Sequence, residues 1–378
     1  MGRTMKVALE LQHCLRNRSG IGTYTYEIAR RVFDTETTQF CGNLFNFNKK
    51  EKSGIALKGI KIPIRECETL PYSIYRRIWH MFPIPYNKIF PQADVNIFFD
   101  YIVPPRISGH VISVIYDLTY LRFPETMSKR NRSRIENDIK YSIDRSDKII
   151  TITEFSKSEL ISLLGIPSEK IKIVSPAPSL ALDAEDYKDL SHRYNITKPF
   201  LLYVGTIEPR KNLSRLMQAF EWLKSKKDMP HQLVLAGGLG WKNKEIQDAI
   251  LQSPYKKDII MTGYIADKEK NALYQAADLF VFPSIYEGFG IPPLEAMTFG
   301  CPVVCSNAAS LPEVVGDAAE LVDPMDVDSI AEGMWKVLSD DFCRAELVKK
   351  GYKQAKKFNW DDSAKKLMQI CREVLEEM

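Results

Sequence analysis

Short apolar runs alternate with helix-period segments along the chain, the pattern of an α/β protein with parallel sheets. In the first half the runs predict strands at Lys6–Glu10, Phe40–Phe45, Asp94–Phe99, His110–Ile115 and Lys148–Thr153. Between them lies a helix over Thr23–Phe33, with Tyr24, Ile28 and Val32 on one face. The stretch Ser175–Pro199 carries three prolines, is polar and acidic, and has weak periodicity, which predicts a linker. The pattern then restarts. Strands are expected at Phe200–Val204, Gln232–Ala236, Asp258–Thr262, Leu279–Pro283 and Pro302–Ser306. A helix carries Leu213, Leu216, Met217, Phe220 and Leu223, and the tail from Asp340 to Met378 is helical in pattern. The expected domains are residues 1–180, residues 195–358 and a terminal helix over 359–378. Two Rossmann-like halves of similar size, joined by a linker, predict a cleft between them. Ligands of open α/β sheets bind at the carboxyl ends of the strands.

The 378 residues allow two to three domains, and 45% hydrophobic with 26% charged residues is ordinary globular composition. No run of about 18 apolar residues predicts a spanning helix. Glu10, Gln12 and His13 interrupt what would be a signal peptide's apolar centre. Lys6 stands where a myristoylated N-terminus carries Ser or Thr, and Met5 reads as a natural start. Seven scattered cysteines form no Cys-x2-Cys pair, and small buried hydrophobes in a reducing cytosol are the expectation. The net charge of +4 divides into +7 over residues 1–185 and −3 over the rest, so the first half is mildly suited to anions or a membrane surface.

Six parts of the chain carry candidate chemistry. Ser19-Gly20-Ile21-Gly22-Thr23-Tyr24 follows the first strand and opens a helix, as a tight turn or a phosphate cradle. Gly205-Thr206-Ile207-Glu208-Pro209-Arg210-Lys211-Asn212 sets two cations before a helix, where the positive macrodipole makes them unfavourable by roughly 0.3–1 kcal/mol unless an anion binds. Leu279–Pro283 leads into Ser284-Ile285-Tyr286-Glu287-Gly288-Phe289-Gly290-Ile291-Pro292-Pro293-Leu294-Glu295. This places Glu287 on a loop and Glu295 in a first helical turn, with the amides of Gly288–Gly290 available to hydroxyls or phosphate. Asp117 ends a strand, as a ligand-edge acid or a turn former. Asp326-Val327-Asp328 spells D-x-D but precedes a helical pattern, where Asp is a routine cap. Aromatics in Pro71–Pro91, with the Lys129, Arg130, Arg132 and Arg134 cluster, suit a membrane interface or a lipid-diphosphate acceptor. No nucleic-acid recognition motif is present.

These motifs resemble retaining glycosyltransferase family 4. The match runs from E-x7-E (Glu287 and Glu295) through Glu295-Ala296-Met297 and Gly300-Cys301-Pro302-Val303-Val304 to Leu311-Pro312-Glu313-Val314. Val204–Asn212 resembles a bacterial mannosyltransferase-like subgroup, and Ser19–Tyr24, Asp117–Glu125 and Ile152–Ser156 extend the likeness into the first half.

The resemblance implies a GT-B fold, with two Rossmann-like domains facing a central cleft and the C-terminal helix crossing back to the first. It implies Glu295 on the ribose, Glu287 with Phe289 and Gly290 on the donor sugar, and Arg210 and Lys211 on the diphosphate with Gly20 and Gly22 assisting. Gly263, Tyr264 and Ile265 would lie against the base, Gly288 and Ile291 would complete the donor loop, and Asp117 would shape the acceptor side. Tyr116 replaces the His of many relatives, and Thr206 replaces an Arg. The expected activity is retaining transfer of a sugar, mannose from GDP-mannose, to a growing glycan or lipid-linked acceptor in surface polysaccharide synthesis. No metal or other cofactor is expected, nor a nucleic-acid partner. The expected location is cytoplasmic, peripheral to the membrane. A UDP-sugar donor with a soluble acceptor, a phosphorylase or epimerase, and a non-catalytic sugar-nucleotide binder are the alternatives.

Overall fold

The computed structural model describes residues 4–15, 20–82, 84–179 and 185–377. Ser19 of the glycine motif, Gly2, and residues 180–184 of the expected linker lie outside them. The chain divides into two compact units. The first is Met1–Leu118, Lys129–Pro176 and Trp360–Met378; the second is Thr119–Ser128 and Ala177–Asn359.

The first unit is built on a seven-stranded parallel sheet. Its strands are β1 (Met5–Glu10), β2 (Thr38–Phe45), β3 (Ile64–Cys67), β4 (Val95–Phe98), β5 (His110–Val114), β6 (Lys148–Thr151) and β7 (Ile171–Ile173), in the order β3-β2-β1-β4-β5-β6-β7. β4 and most of β1 and β5 are buried, because helices cover both faces of a parallel sheet. The order reverses between β1 and β4, which pair directly through Val7–Val95 and Leu9–Ile97. The helix Gly20–Ala29 ends earlier than its periodicity suggests, yet Tyr24, Ile28 and Val32 are all buried. The terminal helix Trp360–Glu376 belongs to this unit. Trp360 packs edge-on to Tyr24 at 5.5 Å, Ser363 Oγ donates to Ser175 O at 2.6 Å, and Lys148 pairs with Glu377 at 2.8 Å.

The second unit repeats the topology with six parallel strands. β8 (Phe200–Val204), β9 (Gln232–Ala236), β10 (Ile259–Gly263), β11 (Leu279–Phe282), β12 (Val303–Ser306) and β13 (Glu320–Val322) run in the order β10-β9-β8-β11-β12-β13. The reversal falls between β8 and β11. A Cβ on Gly237 would stand 1.9 Å from Gly205 O, so the turns after β8 and β9 touch backbone to backbone.

Four expectations are corrected. The linker stretch contains the helix Tyr187–Tyr194, capped by Asp186; Leu190 is its one buried residue, with Ile196 buried just beyond it, which leaves little periodicity to read. Glu295 is the fifth residue of the helix Ile291–Thr298, one step past its first turn, because Ile291 rather than Pro292 opens it. Of the Pro71–Pro91 aromatics, Tyr75, Trp79, Tyr86 and Phe90 are core, and the exposed apolar groups are Ile74, Met81 and Phe82. The strands β3, β7 and β13 appear where no strand was expected.

Candidate active site

The second unit's sheet edge at β8 and β11 gathers the sequence motifs into one electrostatic cluster. After β8, Pro209–Lys211 makes a single 3-10 turn, and Asn212 (φ 61°) hands the chain to the helix Leu213–Lys227. Asn212 Nδ2 donates to Pro283 O at 3.0 Å and Pro324 O at 2.6 Å, and the amide of Ile285 donates to Arg210 O at 3.0 Å. These bonds fasten the loop after β8 to the loop after β11. Arg210 and Lys211 therefore meet Glu287. Arg210 Nη1 lies 2.8 Å from Glu287 Oε2, Arg210 Nη2 lies 2.9 Å from Glu208 Oε1, and Lys211 Nζ lies 2.5 Å from Glu287 Oε1.

All four side chains are largely removed from water. Burial alone would push the Glu287 carboxyl up, but the charges of Arg210 and Lys211 and their hydrogen bonds outweigh it and hold the group down to about 2. Burial lowers the Lys211 ammonium, only partly offset by Glu287. The two adjacent cations are thus compensated by the protein's own carboxylates. Glu208, buried at the neck of the loop, is a member that sequence reasoning passed over; its position two residues before Arg210 was the available signal.

The loop carrying Glu287 is held from beneath. Ser310 Oγ, wholly buried, donates to Glu287 O at 2.8 Å and contacts Phe289 O at 3.2 Å. Gly290 caps the next helix at φ 105°, and a Cβ there would meet Leu311 Cδ2 at 2.5 Å, so the position requires glycine. Gly288 and Phe289 are buried, Phe289 edge-on to Phe358 at 5.2 Å, and Ile291 opens the helix half-buried. Ser284 Oγ is buried at the same sheet edge without a hydrogen-bond partner.

Glu295 forms a separate node. Lys270 Nζ donates to it at 2.8 Å and Tyr274 Oη at 3.1 Å, both from the helix Asp267–Ala276. Burial would lower the Lys270 ammonium, but Glu295 and Asp267 raise it overall. Neither Lys270 nor Tyr274 carried a sequence signal. At the end of β10, Gly263 turns at φ 72°, Tyr264 is 69% exposed and Ile265 is buried.

Asp117, Gly20 and Gly22 belong to the first unit. Asp117 follows β5 and accepts from Tyr101 Oη at 3.1 Å, while Tyr116 Oη donates to Phe99 O at 3.4 Å and packs against Tyr24. Gly20 and the buried Gly22 lie in the first turn of the helix Gly20–Ala29. Asp326 caps the helix Val327–Ser339, its Oδ1 accepting from the Asp328 amide at 3.0 Å. Among the described residues no three His, Cys, Asp or Glu side chains converge as a metal-holding group.

The chain is 35% identical over 375 residues to the O-antigen chain mannosyltransferase B of Escherichia coli, covering 95% of this chain and 97% of that protein. It belongs to the group 1 glycosyltransferases. The family's defining domain, glycosyl transferases group 1, matches residues 188–358, which contain Arg210, Lys211, Glu287 and Glu295. Two solved structures share the fold along their whole length. Sucrose-phosphate synthase from Thermosynechococcus elongatus has a TM-score of 0.76 at 17% identity, covering 99% of this chain and 100% of that one. WaaG, a glycosyltransferase involved in lipopolysaccharide biosynthesis, has a TM-score of 0.72 at 16% identity, covering 97% and 99%. This glycosyltransferase therefore has the GT-B fold of two parallel-sheet α/β domains.

Proposed function

We propose that the protein is a retaining, metal-independent mannosyltransferase that moves mannose from GDP-mannose to a growing glycan or lipid-linked oligosaccharide in surface polysaccharide synthesis. The likeness to an O-antigen chain mannosyltransferase over nearly the full length supports the sugar and the pathway. The observation that carries the reading is the joint hold of Arg210 and Lys211 on the buried Glu287 carboxylate at the β8/β11 edge. The cations hold an anion already, in a site shielded from water where such contacts are strong. A donor diphosphate competes for them. As it takes them over, Glu287 is released toward the sugar, and positive charge remains to stabilise the leaving diphosphate without a metal ion.

Glu295, oriented by Lys270 and Tyr274, serves the ribose hydroxyls, and the amides of Phe289 and Gly290 serve the sugar. Gly263, Tyr264 and Ile265 flank the base. Retention follows a front-face route in which the departing diphosphate helps accept the acceptor's proton, while Glu287 stabilises and orients the sugar and Asp117 shapes the acceptor side.

Membrane association is peripheral and cytoplasmic in this reading. Exposed Ile74, Met81 and Phe82 lie on or just beyond the helix Tyr72–Ile78, which His80 and Arg76 tie to Asp138 of the helix Lys129–Arg145, whose start exposes Lys129, Arg130 and Arg132. No described helix is long and apolar enough to cross a membrane.

The test is transfer from GDP-mannose and from UDP-glucose in EDTA, with the product anomer read by NMR. An α-mannoside formed in EDTA supports the reading. An inverted product, or activity restored only by Mn²⁺, overturns it.

A further inference from the structure

The first unit's sheet has a second edge, at the amino ends of its strands, and a cavity of about 520 Å³ opens there. Met5 and Thr38, the first residues of β1 and β2, line it, together with residues 30–33 just past the helix Gly20–Ala29 and part of the terminal helix Trp360–Glu376. All of its lining belongs to the first unit. The volume lies within the roughly 300–1,000 Å³ of small-molecule sites. Open α/β sheets take their usual ligands at the carboxyl ends of the strands, so this cavity is a different place on the same sheet.

Its floor is apolar. Met5, Val32, Phe40 and Ala364 are buried and Met368 is half-buried. Ala364, Met368 and Arg372 follow at four-residue spacing, one stripe of the terminal helix. Methionine side chains adapt to irregular apolar guests. The rest of the lining is cationic. Arg30 and Arg31 are already matched, since Arg30 Nε lies 2.7 Å from Glu27 Oε2 and Arg31 Nε lies 2.6 Å from Asp361 Oδ1. Lys365 has only a 3.5 Å contact with the exposed Asp362. Lys61 and Arg372, both exposed, have no side-chain ion pair or hydrogen bond among the described residues. Phe33, also in the lining, is 61% exposed.

These features select a ligand class. The floor offers no polar side chains to read a sugar or a base, and Thr35 Oγ1 in the wall is occupied by the Thr38 amide at 3.1 Å. A hydrocarbon chain gains from each methylene it buries there, and an anionic head finds cations that no carboxylate has matched. We propose that this cavity binds a single-chain anionic amphiphile, its hydrocarbon on the floor of Met5, Val32, Phe40 and Met368 and its phosphate or carboxylate head held by Lys61 and Arg372. The ligand joins the terminal helix to the residues after Gly20–Ala29, adding to the Arg31–Asp361 pair that already links them. This site is independent of the transferase reading above.

The test titrates the full chain with dodecyl phosphate, below its micellar concentration, by calorimetry. Expected is one saturable site per chain, with inorganic phosphate and dodecyl maltoside, the uncharged amphiphile of the same chain length, each weaker by about tenfold or more. Lys61→Ser combined with Arg372→Ser should weaken dodecyl phosphate by about tenfold or more without lowering Tm, because both side chains are exposed. Met368→Glu, which sets a carboxylate on the floor, should also weaken it. Hydrogen exchange should slow in residues 30–33 and 361–372 when the amphiphile is bound. Wild-type protein that does not bind dodecyl phosphate overturns the proposal. So does binding that never saturates, affinity that these variants leave unchanged, or inorganic phosphate or dodecyl maltoside binding as tightly. Phosphatidylglycerol vesicles separate the two sources of such a ligand. Co-sedimentation lost in the double variant assigns a membrane lipid, whereas unchanged co-sedimentation with dodecyl phosphate binding lost assigns a free amphiphile.

Discussion

Lys211 Nζ stands 2.5 Å from Glu287 Oε1, opposite the 2.8 Å contact of Arg210 Nη1 with Oε2, so one carboxylate is gripped on both oxygens by residues 76 and 77 positions away. The grip depends on the two loops being tied backbone to backbone, not on the charges alone. It makes Glu287 the internal competitor of whatever anion Arg210 and Lys211 bind.

Lys211→Ala should weaken GDP-mannose binding and slow transfer together. Charge-assisted contacts are worth roughly 1.5–3 kcal/mol, about 10- to 150-fold in kcat/KM. Steady-state kinetics and calorimetry on the purified variant check this; an unchanged kcat/KM rejects the diphosphate role.

Glu287 also carries a pH signature. Its folded pKa, about 2, lies below the 4.5 of an ordinary glutamate, so its stabilising contribution is present above pH 4.5 and is lost as pH falls toward 2. Between pH 7 and pH 3 wild type should lose about 2 kcal/mol more unfolding free energy than Glu287→Gln, as read by urea denaturation. Identical pH slopes would show that the ion pairs do not set its titration.

Glu10 predicts the opposite sign. Its folded pKa of about 7 exceeds the unfolded value, so the native state holds the extra proton between pH 4.5 and 7. Stability from this group is complete below pH 4.5 and declines as pH rises through 7. From pH 5 to pH 8 wild type should lose about 2–3 kcal/mol relative to Glu10→Gln. Parallel stability curves for the two proteins would be inconsistent with a buried, proton-holding Glu10.

Glu295→Gln should reduce affinity for GDP-mannose and for GDP by similar factors, roughly tenfold, because a ribose contact is shared by donor and product. Tyr274→Phe, which removes a hydroxyl that orients Glu295, should have a smaller effect in the same direction. A loss confined to GDP-mannose would move Glu295 from the ribose to the sugar.

Met81→Glu combined with Phe82→Glu should release the protein from vesicles containing anionic lipid without lowering Tm, since both side chains are exposed. Wild-type binding should fall as salt rises, with screening over about 10 Å at 0.1 M. Sedimentation with vesicles measures both, and equal binding by the variant would place the contact elsewhere.

The strands that lie inside the sheets were legible in the residues alone. A strand covered on both faces must be continuously apolar, and β8 and β9 fall at the residues their apolar runs predict, with β11 and β12 one residue shorter. The three strands not anticipated, β3, β7 and β13, are three or four residues long and lie at sheet edges, where half-exposed positions such as Arg65, Lys172 and Leu321 break the apolar run. Glu287, Glu295, Arg210 and Lys211 could be singled out because they follow strand ends in recognisable motifs. Their partners could not. Tertiary structure alone brings Ser310 beneath the Glu287 loop, Lys270 and Tyr274 onto Glu295, and Asp100, His13 and Arg134 beside Glu10. Strand and helix periodicity is a local consequence of which face each residue buries, whereas these contacts join positions 21 to 124 residues apart or close across a sheet edge, and only the completed sheet order sets them side by side.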